Sequence, residues 1–253
     1  MRDHNAEYQD NSARQYAYDF DWVIRRYLLK TLERHFDARG SVLELGCFRG
    51  DMTAQILDYF PHVTIVEAAS ELAAQVSDRF PGRVRVINAA IEAAHLDQRF
   101  DNVFLVHTLE HLDGRVAVLA RIGEWLSASG RLFVAVPNAT ALSRQIAVKM
   151  GLIAHHSAVT PAEAAHGHRC TYTMDVLLSE IGHAGLRVQA HGGVLVKPLA
   201  NFQFDRALAH GIVDEAYLDA CNELAIMHPD LAASLYVVCS RASPPPRAEA
   251  AAR

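Results

Sequence analysis

Three stretches of this sequence hold residues of the type and spacing that chemistry needs. Glu44-Leu-Gly46-Cys-Phe-Arg-Gly50 places an acidic residue ahead of two glycines, directly after an apolar run and before a helical stretch. Glycines there let the backbone turn sharply and let a ligand approach without a Cβ in the way, while the helix start presents N–H groups. The segment therefore reads as a cradle for a nucleotide or nucleoside. A dinucleotide fingerprint requires three glycines as GxGxxG, and the pattern here, ExGxxxG, has one too few for a pyrophosphate site. Glu67 follows 23 positions after Glu44, at the end of Val63-Thr-Ile-Val-Glu67. A carboxylate there can accept both hydroxyl protons of a ribose, which would leave Ala68 beside the base.

The second stretch is His107-Thr-Leu-Glu110-His111. Imidazoles titrate near neutrality, so either histidine can act as a base or orient an acceptor. The spacing is not the zinc pattern HExxH: the glutamate adjoins the second histidine, and His107 still lies on a strand end, so the two need not share a helical face. No metal is expected on this reading. The third stretch is His166-Gly-His168-Arg169-Cys-Thr-Tyr172, with three groups that exchange protons and an Arg169 suited to a bidentate grip on a carboxylate or phosphate. Thr173 is expected to cap the helix that follows. Further on, Lys197 and Asn201 in GGVLVKPLANFQFD read as a second wall of an acceptor pocket, on a strand followed by a polar loop.

The elements that must position these residues alternate. Asp19 to Phe36 is an amphipathic helix by the spacing of Phe20, Trp22, Val23, Tyr27, Leu28 and Leu32. SVLELGC is a strand, Asp51 to Tyr59 a helix, VTIVEA a strand, Ser70 to Arg79 a helix and VRVINA a third strand. FDNVFLVHTL is a fourth strand, Arg115 to Leu126 a helix, and RLFVAVPN a fifth strand after a turn at Ser129-Gly130. Strands alternating with helices imply βαβ units and a parallel sheet covered on both faces. Later strands near Leu186 to Ala190 and Ser234 to Cys239 should close the sheet. The expectation is an α/β, Rossmann-like, seven-stranded, mostly parallel sheet with a helical lid insertion after the fifth strand. That insertion, where the alternation fails, would lie over the carboxyl ends of the strands, where open α/β sheets bind ligands.

With these motifs in place, the chain resembles the class I S-adenosylmethionine-dependent methyltransferases over roughly Asp19 to Asn138. Their first motif is an acidic residue followed by GxGxG or, as here, Gly46-Cys-x-x-Gly50. The resemblance implies that Gly46 and Gly50 face the methionine part of the cofactor, that Glu44 lies close and fixes the loop, and that Glu67 holds the ribose. Many members place Gly-Asp at the third motif to bind adenine, whereas this chain has Ala89-Ala90-Ile91-Glu92. Adenine recognition then falls to backbone near Ala90 and to Ile91 packing on the ring. Phe100-Asp101 through Leu109-Glu110-His111 matches the family's "FD…LEH" segment, whose end meets the sulfonium and the acceptor, and so brings in His107 as a cofactor contact. LSASGRLFVAVPN resembles the strand that follows. The resemblance also suggests an aromatic lid from Tyr8, Tyr16 and Tyr18, with Tyr16 against the cofactor, where a ring face would favour the cation.

Composition narrows the partners. The 253 residues, 51% hydrophobic, suffice for one large core. A formal charge of −5 argues against affinity built on neutralising nucleic-acid phosphates. No apolar run approaches the roughly 18–20 residues that cross a bilayer, the N-terminus is polar, and Cys47, Cys170, Cys221 and Cys239 have no paired short spacing. A cytoplasmic enzyme is expected, with a homodimer left open. The expected organisation is a single domain over 1–240: an N-terminal lid and helix (1–36), a cofactor core (41–138), a substrate lid (139–172) and the rest of the sheet (173–240), then a Pro- and Ala-rich, disordered tail (241–253). The expected activity is methyl transfer from S-adenosylmethionine, with S-adenosylhomocysteine as product, to an oxygen or nitrogen of a small polar metabolite such as a sugar or natural-product intermediate. His111 or His168 would be the base and Tyr172 a positioning group. C-methylation, an NAD(P)-dependent oxidoreductase and a non-catalytic cofactor-binding protein are the alternatives.

Overall fold

Apolar alternation decides how this chain layers. In the computed structural model, which describes residues 4–5 and 18–242, α1 (Asp19–Leu32) leads to β1 (Val42–Leu45), α2 (Asp51–Ile56), β2 (Val63–Glu67), α3 (Ser70–Arg79) and β3 (Val84–Asn88). β4 (Phe100–Val106), α4 (Arg115–Glu124) and β5 (Leu126–Pro137) complete the first half. Then come α5 (Leu142–Lys149), α6 (Pro161–Ala165), α7 (Met174–His183), β6 (Leu186–Val196), α8 (Asn201–Ala209), α9 (Glu215–Met227) and β7 (Ala232–Arg241).

The strands form one sheet in the order β3-β2-β1-β4-β5-β7-β6. β1 to β5 pair in parallel, and β7 runs antiparallel between β5 and β6. Because successive side chains on a strand point to opposite faces, β4 sends Phe104 to one core and Val103 and Leu105 to the other. The first core is roofed by α1, α2, α8 and α9, with Phe20 stacked on Phe204 at 4.4 Å and Phe104 on Phe133 at 4.9 Å. The second is roofed by Leu119 and Ile122 of α4 and Leu177 and Ile181 of α7. Each fully buried side chain of this kind contributes about 1.5–3 kcal/mol. The expected seven-stranded, mostly parallel fold is the one observed. Among the described residues no helix is long and apolar enough to cross a membrane.

Local expectations fail where packing overrides pattern. Gly130 is not in a turn before β5 but inside the strand, where the pairing jumps from Phe100↔Leu126 to Asn102↔Arg131. A Cβ there would come within 2.6 Å of the Phe100 carbonyl oxygen, so glycine serves a bulge in close backbone contact. The expected polar loop after Lys197 is instead α8. Its Gln203 and Arg206 are exposed while Phe204 and Ala207 are buried, and Asp205 accepts the Phe20 amide at 2.7 Å. α2 stops at Ile56, before Tyr59. Thr173 stands at the N-cap of α7, but its side chain makes no cap bond. The reciprocal box is formed instead by Thr160 and Glu163 at α6. Residues 243–253 of the expected tail lie outside the described residues, and Arg241 belongs to β7.

Candidate active site

At the carboxyl ends of β1, β2 and β4 lies a cavity of about 500 Å³. It is lined by Gly46, Glu67, Ala68, Ala90, Ile91 and His107 from the sheet side, and by residues of α1 and of the segment 139–172 from above. Of the cofactor contacts expected from sequence, these six surround one space. Tyr16 lies outside the described residues.

The loop after β1 is held from two directions. Gly46 and Gly50 have φ of +77° and +81°, in the left-handed region that other residues enter only at a cost. A Cβ on Gly46 would meet the Thr108 side chain at 2.8 Å, and one on Gly50 would meet Phe80 at 2.9 Å. The direction a Cβ would take is thus filled by protein, which corrects the expectation that both glycines leave their side-chain space to a ligand. Gly46 lines the cavity with backbone; Gly50 does not line it. Glu44 is also absent from the lining. It is buried beneath the loop, where the Thr53 hydroxyl donates to it at 2.6 Å, and burial raises its carboxyl to about 8. Glu67 accepts the Cys47 and Phe48 amides on Oε2 at 3.0 and 3.3 Å and the Ala69 amide on Oε1 at 2.9 Å. It therefore shapes the loop as well as bordering the cavity. Asn88 donates to the carbonyls of Glu67 and Ala68, which brings the Ala90–Ile91 turn alongside Ala68.

Charged groups on α1 were not singled out in the sequence, where they read as the polar face of an amphipathic helix. Asp21 and Arg25 both line the cavity. Asn201 donates to Asp21 at 2.7 Å, and Lys197 donates to the Leu199 carbonyl at 3.0 Å. Burial lowers the Lys197 ammonium to about 8, with Asp21 opposing the shift. Lys197 and Asn201 thus reach the cavity wall, yet each holds protein. The Arg25 cation is near enough to Glu44 and to His107 to bias both. His107 has φ +49° and hydrogen-bonds Ser234 of β7 at 2.9 Å. Burial, aided by Arg25, lowers its imidazole to about 3, so it is neutral at physiological pH and a poor base.

The same cavity is lined by His111 and His168, their ring centroids 4.6 Å apart and nearly perpendicular. Glu110, 1% exposed, adjoins them, and no other described residue hydrogen-bonds its carboxyl oxygens. Burial raises Glu110 to about 8 and lowers His168. The segment 139–172 that carries His168 is anchored by Arg144. That guanidinium donates to the carbonyls of His156 and Ala158 and pairs with Glu163 at 2.5 Å. His166 also lines the cavity. Two expected residues do not. Tyr172 is fully buried and donates to Glu180 of α7 at 2.7 Å, because the backbone bridge from Asn138 to Tyr172 turns its ring into the core. Arg169 faces solvent, 3.9 Å from Asp113. The Glu110, Arg144, Glu163 and Ser234 contributions escaped sequence reasoning. The only signal for Glu110 was its place between Leu109 and His111.

Comparison with known proteins adds to this geometry. Residues 13–191 match a family model described as a methyltransferase domain. The chain is 29% identical over 102 residues to (S)-coclaurine N-methyltransferase of Papaver somniferum, a match covering 37% of this chain and 28% of that protein. It is 31% identical over 110 residues to malonyl-[acyl-carrier protein] O-methyltransferase of Bacillus anthracis, covering 42% and 41%. The chain thus spans less than half the length of either relative. Among solved structures, the 1,6-didemethyltoxoflavin-N1-methyltransferase of Burkholderia thailandensis, bound to 1,6-didemethyltoxoflavin and S-adenosylhomocysteine, superposes with a TM-score of 0.60. The identity is 18%, over 94% of this chain and 85% of that one, a likeness of fold.

Proposed function

The chain belongs to the methyltransferase-domain family, the class I S-adenosylmethionine-dependent methyltransferases, and from that premise we propose that it methylates an oxygen or nitrogen atom of a small polar molecule. The observation that carries this reading is a single cavity lined both by the loop, Glu67, Ala90 and Ile91 and by His111 with His168. The relatives named as N- and O-methyltransferases support it.

The residues present suit the cofactor. A cavity of this size lies within the range of pockets that take drug-sized ligands. Oε1 of Glu67 accepts only one amide among the described residues, which leaves capacity for a ribose hydroxyl. Ile91 and Ala90 offer an apolar wall to adenine, and Arg25 offers a cation to the amino-acid carboxylate. When bound, the cofactor supplies a methyl group on a sulfonium, which is already a good leaving group. The protein's part is then to exclude water, align the acceptor and take its proton. His107 is the wrong group for the proton, because burial leaves its imidazole too weakly basic and its ring is tied to Ser234. His111 and His168 are the candidate bases. The segment 139–172, whose Arg144, Glu163, His166 and His168 border the cavity, would act as the substrate lid of a single domain. A sugar or natural-product intermediate is the proposed acceptor class.

The test is calorimetry with S-adenosylhomocysteine, followed by a labelled-methyl assay on extracts and on a panel of small hydroxyl- and amine-bearing metabolites. Micromolar binding, lost in Glu67→Ala, together with label transfer to a small molecule, is the expected result. A folded protein that does not bind the nucleoside, or labelling that survives Glu67→Ala undiminished, would overturn the reading.

A further inference from the structure

We propose that Glu110, His111 and His168 together hold a divalent transition-metal cation in the cavity. Their ligand atoms all lie within 4.8 Å of one another. A tetrahedral ion with ligands at ~2.0–2.2 Å sets its donors on the order of 3.5 Å apart, so the three side chains would draw together by roughly 1 Å to hold one. Glu110 is the second, independent observation. It is 1% exposed and borders the cavity, yet no other described residue hydrogen-bonds its carboxyl oxygens, and its own main-chain amide only partly offsets the burial. A buried carboxylate with no donor from another residue is costly unless a cation compensates it. The cationic neighbour on this side, Arg144, is committed to Glu163 and to backbone carbonyls. Glu163, His166, His107 and Cys170 are titratable groups near the trio, the first three lining the same cavity and Cys170 lying close to Glu110.

The donor set selects the ion. Two imidazoles and one carboxylate suit zinc, manganese, iron(II) or cobalt, whereas magnesium and calcium favour oxygen ligands. Three protein ligands leave open positions, the arrangement of a working site rather than a closed structural one. The cation's task would be to bind an acceptor oxygen or nitrogen and make it more acidic. That task rests on the methyl-transfer reading; the cation site does not. With the ion bound, the two imidazoles are ligands, and in its absence they are the candidate bases named above.

The sequence spacing alone pointed away from a metal, because it compared His107 with His111. The folded chain replaces His107, which is bonded to Ser234, by His168 from 57 positions beyond His111.

The test uses the full chain, stripped with a chelator and titrated with Mn²⁺, free ion being followed by its paramagnetic resonance. One Mn²⁺ per chain, displaced by Zn²⁺, is expected, with affinity weakened about tenfold or more in Glu110→Gln and in His168→Ala and unchanged in Arg169→Ala. Circular dichroism on the same samples reports folding, and calorimetry with S-adenosylhomocysteine tests the cofactor reading separately. Absence of stoichiometric binding at millimolar Mn²⁺, or variants that bind like the parent, would overturn the site and leave Glu110 as a neutral acid. Should Glu110→Gln fail to fold, His168→Ala at the cavity rim decides the matter alone.

Discussion

The main-chain amide of Arg169 donates to the carbonyl oxygen of Glu110 at 2.8 Å. This one bond joins the end of the 139–172 segment to the short 3₁₀ turn after β4, and it sets His168 against His111. The side chain of Arg169 is directed to solvent, so its contribution to the site is made by the backbone.

The glycine loop should be limited by Thr108. Gly46→Ala is expected to cost about 2–4 kcal/mol, combining the left-handed φ with the 2.8 Å approach to Thr108. Thr108→Ala forfeits the hydroxyl's bonds to the Leu45 and Val106 carbonyls on its own account, but in that background Gly46→Ala should cost only the roughly 1 kcal/mol of backbone strain. Urea unfolding of both single variants and the double checks this, and a Gly46→Ala cost that is the same in both backgrounds would show that the clash is not with Thr108.

Stability should depend on pH through Glu44. Burial raises its carboxyl from the ordinary 4.5 to about 8 against the favourable Thr53 hydroxyl and Arg25, with Glu67 adding repulsion. Between those values the folded chain keeps a proton that the unfolded chain has lost, so this group's contribution is full below about pH 4.5 and declines as pH rises to about 8. The decline is on the order of 5 kcal/mol at about 1.4 kcal/mol per unit. Glu44→Gln removes it. The stability difference between parent and variant, measured from pH 5 to 9, should therefore move in favour of the variant, and parallel profiles would refute the assignment.

Arg144 should govern the order of the segment above the cavity. Removing its guanidinium in Arg144→Ala strands Glu163 and the carbonyls of His156 and Ala158. A local loss of about 1–3 kcal/mol is expected. Hydrogen exchange of residues 150–168 should accelerate while exchange in β1 and β4 stays as it was. Uniform acceleration across the sheet would mean that Arg144 supports the whole fold instead.

Tyr172 should matter to stability rather than to turnover. Tyr172→Phe deletes one buried hydrogen bond to Glu180, at a cost of about 1–2 kcal/mol, because Glu180 retains Arg115 at 2.9 Å. Melting temperature should fall while kcat and KM of any methyl transfer remain within error. A drop in kcat at unchanged KM would return this hydroxyl to the reaction.

Much of the fold was legible because its signals are local. Apolar runs such as Val63–Val66, glycine after Leu45 and the helix periods of Ser70–Arg79 are patterns among near neighbours, and near neighbours decide strand, turn and helix. The meeting of Gly46 and Glu67, where the cofactor is proposed to bind, was legible for the same reason, since they stand at the ends of adjacent parallel strands. The surroundings of His111 were not. Tyr172 and Arg169 share a heptapeptide with His168, yet one turns into the core and the other to solvent, according to main-chain hydrogen bonds with Ala139 and Glu110. Arg25 comes from α1 and Ser234 from β7, far apart in the chain. The sequence by itself determined the alternating sheet and the glycine turn at the end of β1. Tertiary structure alone decided which imidazole faces which, because that depends on the meeting of backbone groups distant in sequence, and no spacing along the chain encodes such a meeting.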